Sequence, residues 1–579
     1  MNVIDTIEAK CRDCYKCLRS CPVKAIKVER GALPNELHAR VVAERCILDG
    51  RCVDVCPQKA KRVRRDLERV QAMIARGERL VASVAPSFPA AFPAFEPLQI
   101  PAALRRFGFV AIEETAVGAE LVSLEHARLA ATTERPLIAT SCPAVVNLVE
   151  QHYPEAIRFL APVVSPMIAH GRTLKRRYPD CKTVFIGPCV AKHQEIEVPE
   201  LAGAVDVVLT FEELRDWLRT AGMTPANLPA EPFTGPRPDH ARLFAIDGGM
   251  LQAVGLGADM LSQRVMVVSG VERCREMIEH FLQGDGLPQL VELVACEGGC
   301  IGGPLNSNPE DQYARRRRVL RYVQTQRETM SDGPSVDSSL LPAELLRRGF
   351  TDRKPVLPQP DEEAIRAILA RTGKTRPEDE LNCGACGYTS CRDKAIAVFH
   401  GMADPEMCIP FMRQRAESMS SLIVASTPNG VIVIDGDEIV LDVNAAAERM
   451  LQRPRHRCVG RKLETLIPPD NFRRVLRDKN LIRLEVDYPE YGLSTHQTIF
   501  WAKEQQVVIG ILADRTEQQK RERQLTKVRE ETLDKAQGVI DKQMEVAQKI
   551  ASLLGETTAE TKVLLTKLMR VMREEGNGK

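Results

Sequence analysis

The clearest pattern in the chain is a short apolar run that stops at a cysteine, and it occurs three times. Val291-Glu-Leu-Val-Ala-Cys296 leads into Glu297-Gly-Gly-Cys300-Ile-Gly-Gly-Pro304, Arg135-Pro-Leu-Ile-Ala-Thr-Ser-Cys142 into Pro143, and Thr183-Val-Phe-Ile-Gly-Pro-Cys189 into Val190. Runs of this length read as buried strands. Strand and helix patterns alternate from about residue 78 to about 325. That predicts a parallel α/β sheet with a site in the crevice beyond the carboxyl ends of its strands. Pro143 stands where a helix takes its first residue. Further on the periodicity changes. Gly430-Val-Ile-Val-Ile-Asp435, a Gly436-Asp437 turn and Glu438-Ile-Val-Leu-Asp-Val-Asn444 form a β-hairpin pattern, and Ala445 to Leu451 a helix capped by Asn444. Residues 517–554 read as one long charged helix with a stripe at Leu525, Val528, Ala536, Ile540, Met544, Ala547, Ala551 and Leu554. Spacings of three and four make that stripe a coiled-coil seam. Gly555 breaks it, and Thr557-x-x-Glu560 is a capping box for a second helix carrying Leu564, Leu568 and Val571.

Two stretches carry no core pattern. Lys59 to Arg76 reads as a basic helical, solvated linker, and 329–362, rich in Ser, Pro and Asp, as another linker, followed by a short helix from Asp361 to Arg371. The organisation expected is 1–75, 76–328, a linker and helix over 329–372, 373–412, 413–516 and 517–579. The fold class is multidomain, α/β and α+β. At 579 residues several domains are expected, and a net charge of +2 points neither to nucleic acid nor to an anionic membrane. No charged-then-apolar leader opens the chain, and no apolar run approaches the ~20 residues that span a bilayer. A cytoplasmic, reduced setting is expected.

Eighteen cysteines clustered at short spacings read as metal ligands rather than a disulfide framework. Cys11-x2-Cys14-x2-Cys17-x3-Cys21-Pro22 is the bacterial ferredoxin run in full; a zinc knuckle is the alternative, disfavoured by this spacing. The second copy is Cys46-x2-Asp49-x2-Cys52-x3-Cys56-Pro57, with aspartate at one ligand position. In two-cluster ferredoxins the fourth cysteine of each run serves the other cluster. Cys11, Cys14, Cys17 and Cys56 then hold one 4Fe-4S cluster. Cys46, Cys52 and Cys21 hold the other, with Asp49 or solvent on its fourth iron. A carboxylate is a harder ligand than thiolate, so a reversible 3Fe form is expected; the plainer reading makes Asp49 a surface turn residue. Cys383-x2-Cys386-x4-Cys391 and Cys408 resemble a small 4Fe-4S domain found beside corrinoid and electron-bifurcating proteins, with zinc as the alternative. Cys181, Cys274 and Cys458 are left as structural thiols.

The three cysteine-ending segments together resemble the signature loops of the FeFe-hydrogenase H-cluster domain. Cys142-Pro143 matches the end of the first loop, Pro188-Cys189-x2-Lys192-x2-Glu195 the second, and Ala295 to Gly303 the third. The resemblance implies that Cys142, Cys189, Cys296 and Cys300 bind a cubane. Cys300 then bridges to a di-iron unit carrying carbon monoxide, cyanide and an azadithiolate. Lys192 donates to the cyanides, and Glu195 is a proton-relay carboxylate. Ala85-Pro86-Ser87 resembles a segment lining the di-iron pocket.

The departures are as specific. Ser141 replaces the proton-shuttling cysteine, and its hydroxyl is a far weaker acid than a thiol of pKa about 8.5. Gly187 and Val294 stand where methionines are usual, and Val145 where a tryptophan is. His126 and Leu129 fall on the acidic relay positions, with His126 expected on an exposed helix face. Kept cradle and altered lining resemble the sensory group of these hydrogenases. Residues 413–516 resemble a PAS domain, and Asp514-Arg-Thr-Glu517 its exit into a signalling helix. An empty PAS core is expected; haem on His456 or His496 is the alternative.

The function implied is slow, reversible H2 oxidation with redox state relayed through 4Fe-4S clusters to a PAS and coiled-coil output. The implied partners are H2 and protons, an electron carrier such as ferredoxin, hydrogenase maturases, a second copy of the chain, and a separate phosphatase or kinase. Two alternatives stand: a fully catalytic hydrogenase, and a non-catalytic iron-sulfur sensor or assembly factor without the di-iron unit.

Overall fold

The computed structural model describes residues 2–30, 37–256, 264–284, 286–306, 308–328, 336, 338–554 and 559–574. The chain divides into two compact units, 1–412 and 413–579.

The first unit begins with a duplicated module. Strand Ile4–Thr6 pairs antiparallel with Lys61–Val63, and Ile26–Arg30 with Leu37–Val41. The two cysteine runs repeat each other in detail. Asp13, Tyr15 and Lys24 have positive φ in the first copy, and Leu48, Gly50 and Lys59 have it at the equivalent places in the second. The Ala25 amide donates to Cys21 Sγ and the Ala60 amide to Cys56 Sγ, each at 3.2 Å. Asp49 therefore occupies the place of Cys14. The stretch expected as a solvated linker from Lys59 is instead structural. Lys61–Val63 is the strand that closes the module, and helix Leu67–Ala75 buries Val70 and Met73.

The central domain holds two parallel sheets, in keeping with the plural sheets that the hydrogenase resemblance implies. The first runs in the order Phe109–Glu114, Leu80–Val84, Lys182–Gly187, Val207–Thr210, and the second Val265–Ser269, Leu290–Val294, Leu137–Ile138. The segment ending at Cys189 belongs to the first sheet, those ending at Cys142 and Cys296 to the second. Leu80–Val84 is buried throughout, and Lys182–Gly187 and Leu290–Val294 are buried except at one end residue each, Lys182 and Val294, as strands covered on both faces are. Helix Ala116–Thr132 crosses helix Pro166–Arg177 at Gly118, where a Cβ would stand 2.3 Å from the Pro166 carbonyl and 2.6 Å from the His170 nitrogen. Only glycine permits that approach.

Residues 329–372 are not uniformly a tether. Leu341 and Leu346 enter the core of the central domain, and the Val164 amide donates to the Leu346 carbonyl at 2.8 Å. Helices Glu362–Ala370 and Cys391–Phe399 then pack through Ile365, Leu369 and Ala395. This small module leans on the duplicated one. The Val28 amide donates to the Met402 carbonyl (2.9 Å), and Arg19 donates to the carbonyl of Ala385 (3.3 Å).

The second unit has a five-stranded antiparallel sheet in the order Val440–Val443, Gly430–Ile434, Val507–Asp514, Leu493–Ala502, Ile482–Tyr488. Asn444 caps helix Ala445–Met450 by accepting from the Ala447 amide. Phe472 lies against Gly510, where a Cβ would come within 2.3 Å of its ring. Helix Thr516–Leu554 leaves the sheet at a tight corner, with Asp514 accepting from the Thr516 amide (2.8 Å) and Thr516 Oγ1 from the Ser494 amide (3.0 Å). Helix Ala559–Glu574 follows; the expected cap at Thr557 lies outside the described residues. Among the described residues no helix is long and apolar enough to cross a membrane.

Candidate functional site

A cavity opens between the two parallel sheets, and the three cysteine-ending segments all reach it. Cys142, Cys189, Cys296 and Cys300 line it together, with Ser141, Lys192, Val294 and Ala85-Pro86-Ser87. Cys300 is exposed by its surface area and lines this space. Burial pushes the Cys189 thiol up to about 11 and that of Cys300 to about 12, and repulsion among the four adds to it. Such thiols stay protonated until a cation displaces the proton, which is the behaviour of a metal cradle.

The glycines of the third loop fix its path. Gly299 has φ +94, and a Cβ there would stand 2.6 Å from the Ile246 backbone; Gly298 has φ +70. Lys192 is buried and donates to Ser165 Oγ (2.8 Å) and Glu195 Oε2 (2.7 Å), which leaves one N–H for the cavity it lines. Arg348, from the stretch expected as linker, is 3.6 Å from Glu195 Oε1. Glu195 thus holds the lysine in place and is itself held.

Polar atoms left over around the cavity indicate an occupant. Ser87 Oγ and Asp49 Oδ2 are buried with no hydrogen-bond partner among the described residues, and both residues line the cavity. Buried polar atoms rarely go unsatisfied. Four thiols, a spare lysine N–H and an unpartnered hydroxyl fit a cubane bearing an anionic appendage.

The altered positions have physical readings. Gly187 is closed to any side chain, since a Cβ would lie 2.6 Å from the Phe185 ring, and Phe185 fills the wall instead. Val145 is buried away from the cavity lining. The Ser141 hydroxyl meets the thioether of Met250 at 3.6 Å. His126 is not exposed as expected. It is fully buried, donates from Nδ1 to the Val122 carbonyl (2.8 Å) and accepts at Nε2 from the Thr140 amide (3.3 Å). Burial lowers its pKa to about 4, so it stays neutral and locked.

Glu292 was not singled out from sequence, yet it lines the cavity from strand Leu290–Val294. Burial raises its pKa to about 7, against the backbone amides it accepts from. An acidic residue interrupting an apolar run was the available signal.

Asp49 is no surface turn residue. It is half-buried, lining the central cavity while its charge acts on Cys21, Cys46 and Cys52. Burial raises its pKa to about 6. The crossed-over set expected for the second cluster is brought together there. Cys383, Cys386, Cys391 and Cys408 line a separate cavity of about 540 Å³, where Lys374 donates to Cys408 Sγ at 3.3 Å. Cys181, Cys274 and Cys458 are buried.

These modules define a class. Residues 78–304 match the family described as iron only hydrogenase large subunit, C-terminal domain, 10–60 a 4Fe-4S dicluster domain, 379–410 a putative Fe-S cluster, and 418–486 the PAS fold. The chain therefore carries an H-cluster-type hydrogenase domain, iron-sulfur domains and a PAS domain. It is 26% identical over 379 residues to the NADP-reducing hydrogenase subunit HndD of Solidesulfovibrio fructosivorans, covering 55% of this chain and 60% of that one. It is also 26% identical over 363 residues to the periplasmic [Fe] hydrogenase large subunit of Nitratidesulfovibrio vulgaris, covering 52% and 86%. A solved FeFe-hydrogenase structure aligns at 17% identity and TM-score 0.40, over 50% of this chain and all of that one. The chain thus spans less than two thirds of the first of these relatives.

Proposed function

We propose that this chain is a sensory FeFe-hydrogenase that binds H2 and oxidises it slowly and reversibly. Cys142, Cys189, Cys296 and Cys300 would hold the cubane of an H-cluster, and Cys300 would also hold its di-iron subsite. When bound, that centre supplies heterolytic H2 chemistry and takes up the electrons. Lys192 gives its spare N–H to the cyanides, Ser87 offers its free hydroxyl, and Glu195 fixes the lysine. Phe185, Val294 and the wall around Ala85 and Pro86 keep water out. The duplicated module and the Cys383 module carry electrons, and the PAS unit with its long helices presents the redox state to a separate phosphatase or kinase. A cytoplasmic homodimer, matured by hydrogenase maturases and exchanging electrons with a ferredoxin, is part of the same reading.

The carrying observation is a complete cradle whose Ser141 and His126 positions are closed to proton transfer. Ser141 leads to a thioether and His126 has both nitrogens committed to backbone. Film voltammetry tests it. The wild-type chain is expected to be slow. Ser141→Cys alone should gain less than the roughly 100-fold that a positioned acid-base group contributes, because no relay lies beyond it. A fast wild type would favour the fully catalytic alternative, and a larger gain would make Ser141 the whole obstacle.

A further inference from the structure

With the Ser141 side closed, protons need another way between cavity and surface. A chain of side chains leads there from Thr115, which lines the cavity. Thr115 Oγ1 is 2.7 Å from Ser83 Oγ, and Ser83 Oγ is 2.8 Å from His170 Nδ1. His170 Nε2 lies 3.4 Å from Glu113 Oε2, and Tyr178 donates to Glu113 Oε1 at 3.0 Å. Ser83, His170 and Glu113 are wholly buried, whereas Tyr178 is half-buried and Arg177, 3.1 Å from Glu113, is partly exposed. Ser83 and His170 each have one partner on the cavity side and one on the surface side, and Glu113 has His170 on the cavity side and Arg177 and Tyr178 on the surface side.

Two glycines make the chain possible. Gly118 lets helix Ala116–Thr132 close on the backbone of His170. Gly235, φ +83, lies under Glu113, where a Cβ would stand 2.3 Å from the carboxyl carbon. His170 faces Ser83 and Glu113; Glu113 faces His170, Arg177 and Tyr178; Tyr178 also meets Thr234. None of these residues belongs to the cysteine cradle.

We infer that Thr115, Ser83, His170, Glu113 and Tyr178 form a proton relay joining the cavity to the protein surface. It rests on the reading above only for what the cavity holds. Outward, a proton arriving at Thr115 Oγ1 sends that hydroxyl's own proton to Ser83 Oγ, and Ser83's passes to His170 Nδ1. His170 Nε2 releases its proton to Glu113 Oε2; the Tyr178 hydroxyl, which donates to Oε1, turns to water and the carboxyl turns with it, and Glu113 then protonates the phenol oxygen as the phenol proton leaves to water. One proton enters and one leaves, and no electron moves. Hydroxyl rotation and return of the imidazole tautomer reset the chain; the inward direction reverses each step.

The test uses the full chain labelled with 15N-histidine and reads exchange of ring N–H protons with water. His126 is the internal control, equally buried but tied to backbone at both nitrogens. The His170 ring proton should exchange faster than that of His126, and Tyr178→Phe should slow it by about 100-fold, the lower end of a positioned transfer group's effect, with His126 unmoved. In the matured chain, Ser83→Ala should slow the response of the carbonyl and cyanide infrared bands to a pH jump, and Ser83→Thr should restore it. A His170 proton as slow as that of His126, or indifferent to Tyr178→Phe, overturns the relay whether or not those bands exist. Missing bands alone overturn the proposed cofactor while the exchange result still judges the relay.

Discussion

At the scale of single residues the cavity is a set of charges held away from water, and Glu292 shows the cost. Its pKa is raised from 4.5 to about 7 by burial, so the folded chain binds a proton that the unfolded chain has already lost. Stability from this group is fully present below about pH 4.5 and is lost as pH rises through about 7, worth roughly 3 kcal/mol in all. Glu292→Gln keeps the acceptor for the backbone amides and cannot ionise. Its melting temperature should gain on the wild type between about pH 5 and pH 8; a gap that does not change with pH would contradict the assignment. The four cradle cysteines and Lys192 were legible in the sequence because their spacing is chemical. Ser165, Arg348 and Glu292 were not, since what makes them matter is the turn of chain that brings them to the lysine or the cavity.

At the scale of elements, strand Lys182–Gly187 decides what the cavity wall can be. Its last residue faces the Phe185 ring at 2.6 Å from where a Cβ would stand, so side chain and ring exclude each other. Gly187→Met should therefore destabilise the chain by about 1–3 kcal/mol, the usual cost of overpacking. Adding Phe185→Ala should recover much of it, read as the midpoint of chemical unfolding. Equal losses in the single and double variants would mean that Phe185 is not what closes the position. Strands, their parallel sense and the helix begun by Pro143 followed from periodicity. That the strands belong to two sheets did not, because a run of apolar residues states burial and not partner. The stretch after residue 340 looked like a tether for the same reason. Leu341, Leu346 and Arg348 are too sparse to make a periodic pattern, yet each is buried against a distant element.

At the scale of the whole molecule, one unit carries every cysteine but Cys458, and the other carries a long helix with open apolar positions. Along helix Thr516–Leu554 the expected seam is open at Leu525, 58% exposed, and Val528, 61%, and half-buried at Ile540. A stripe of that kind on a helix of 39 residues is stable when a partner helix covers it. The purified chain should sediment as a dimer, and Val528→Asp with Ile540→Asp should shift it to monomer; an unchanged mass in the double variant would remove the seam from the account. In the other unit, the proposed occupant of the cavity is a di-iron centre with diatomic ligands, anchored through Cys300 and Lys192. Infrared absorption of the fully matured chain tests it most directly. Bands of metal-bound carbonyl and cyanide, lost in Cys300→Ala and displaced in Lys192→Met, are the predicted result, and a matured chain with iron-sulfur absorption but no such bands would contradict it.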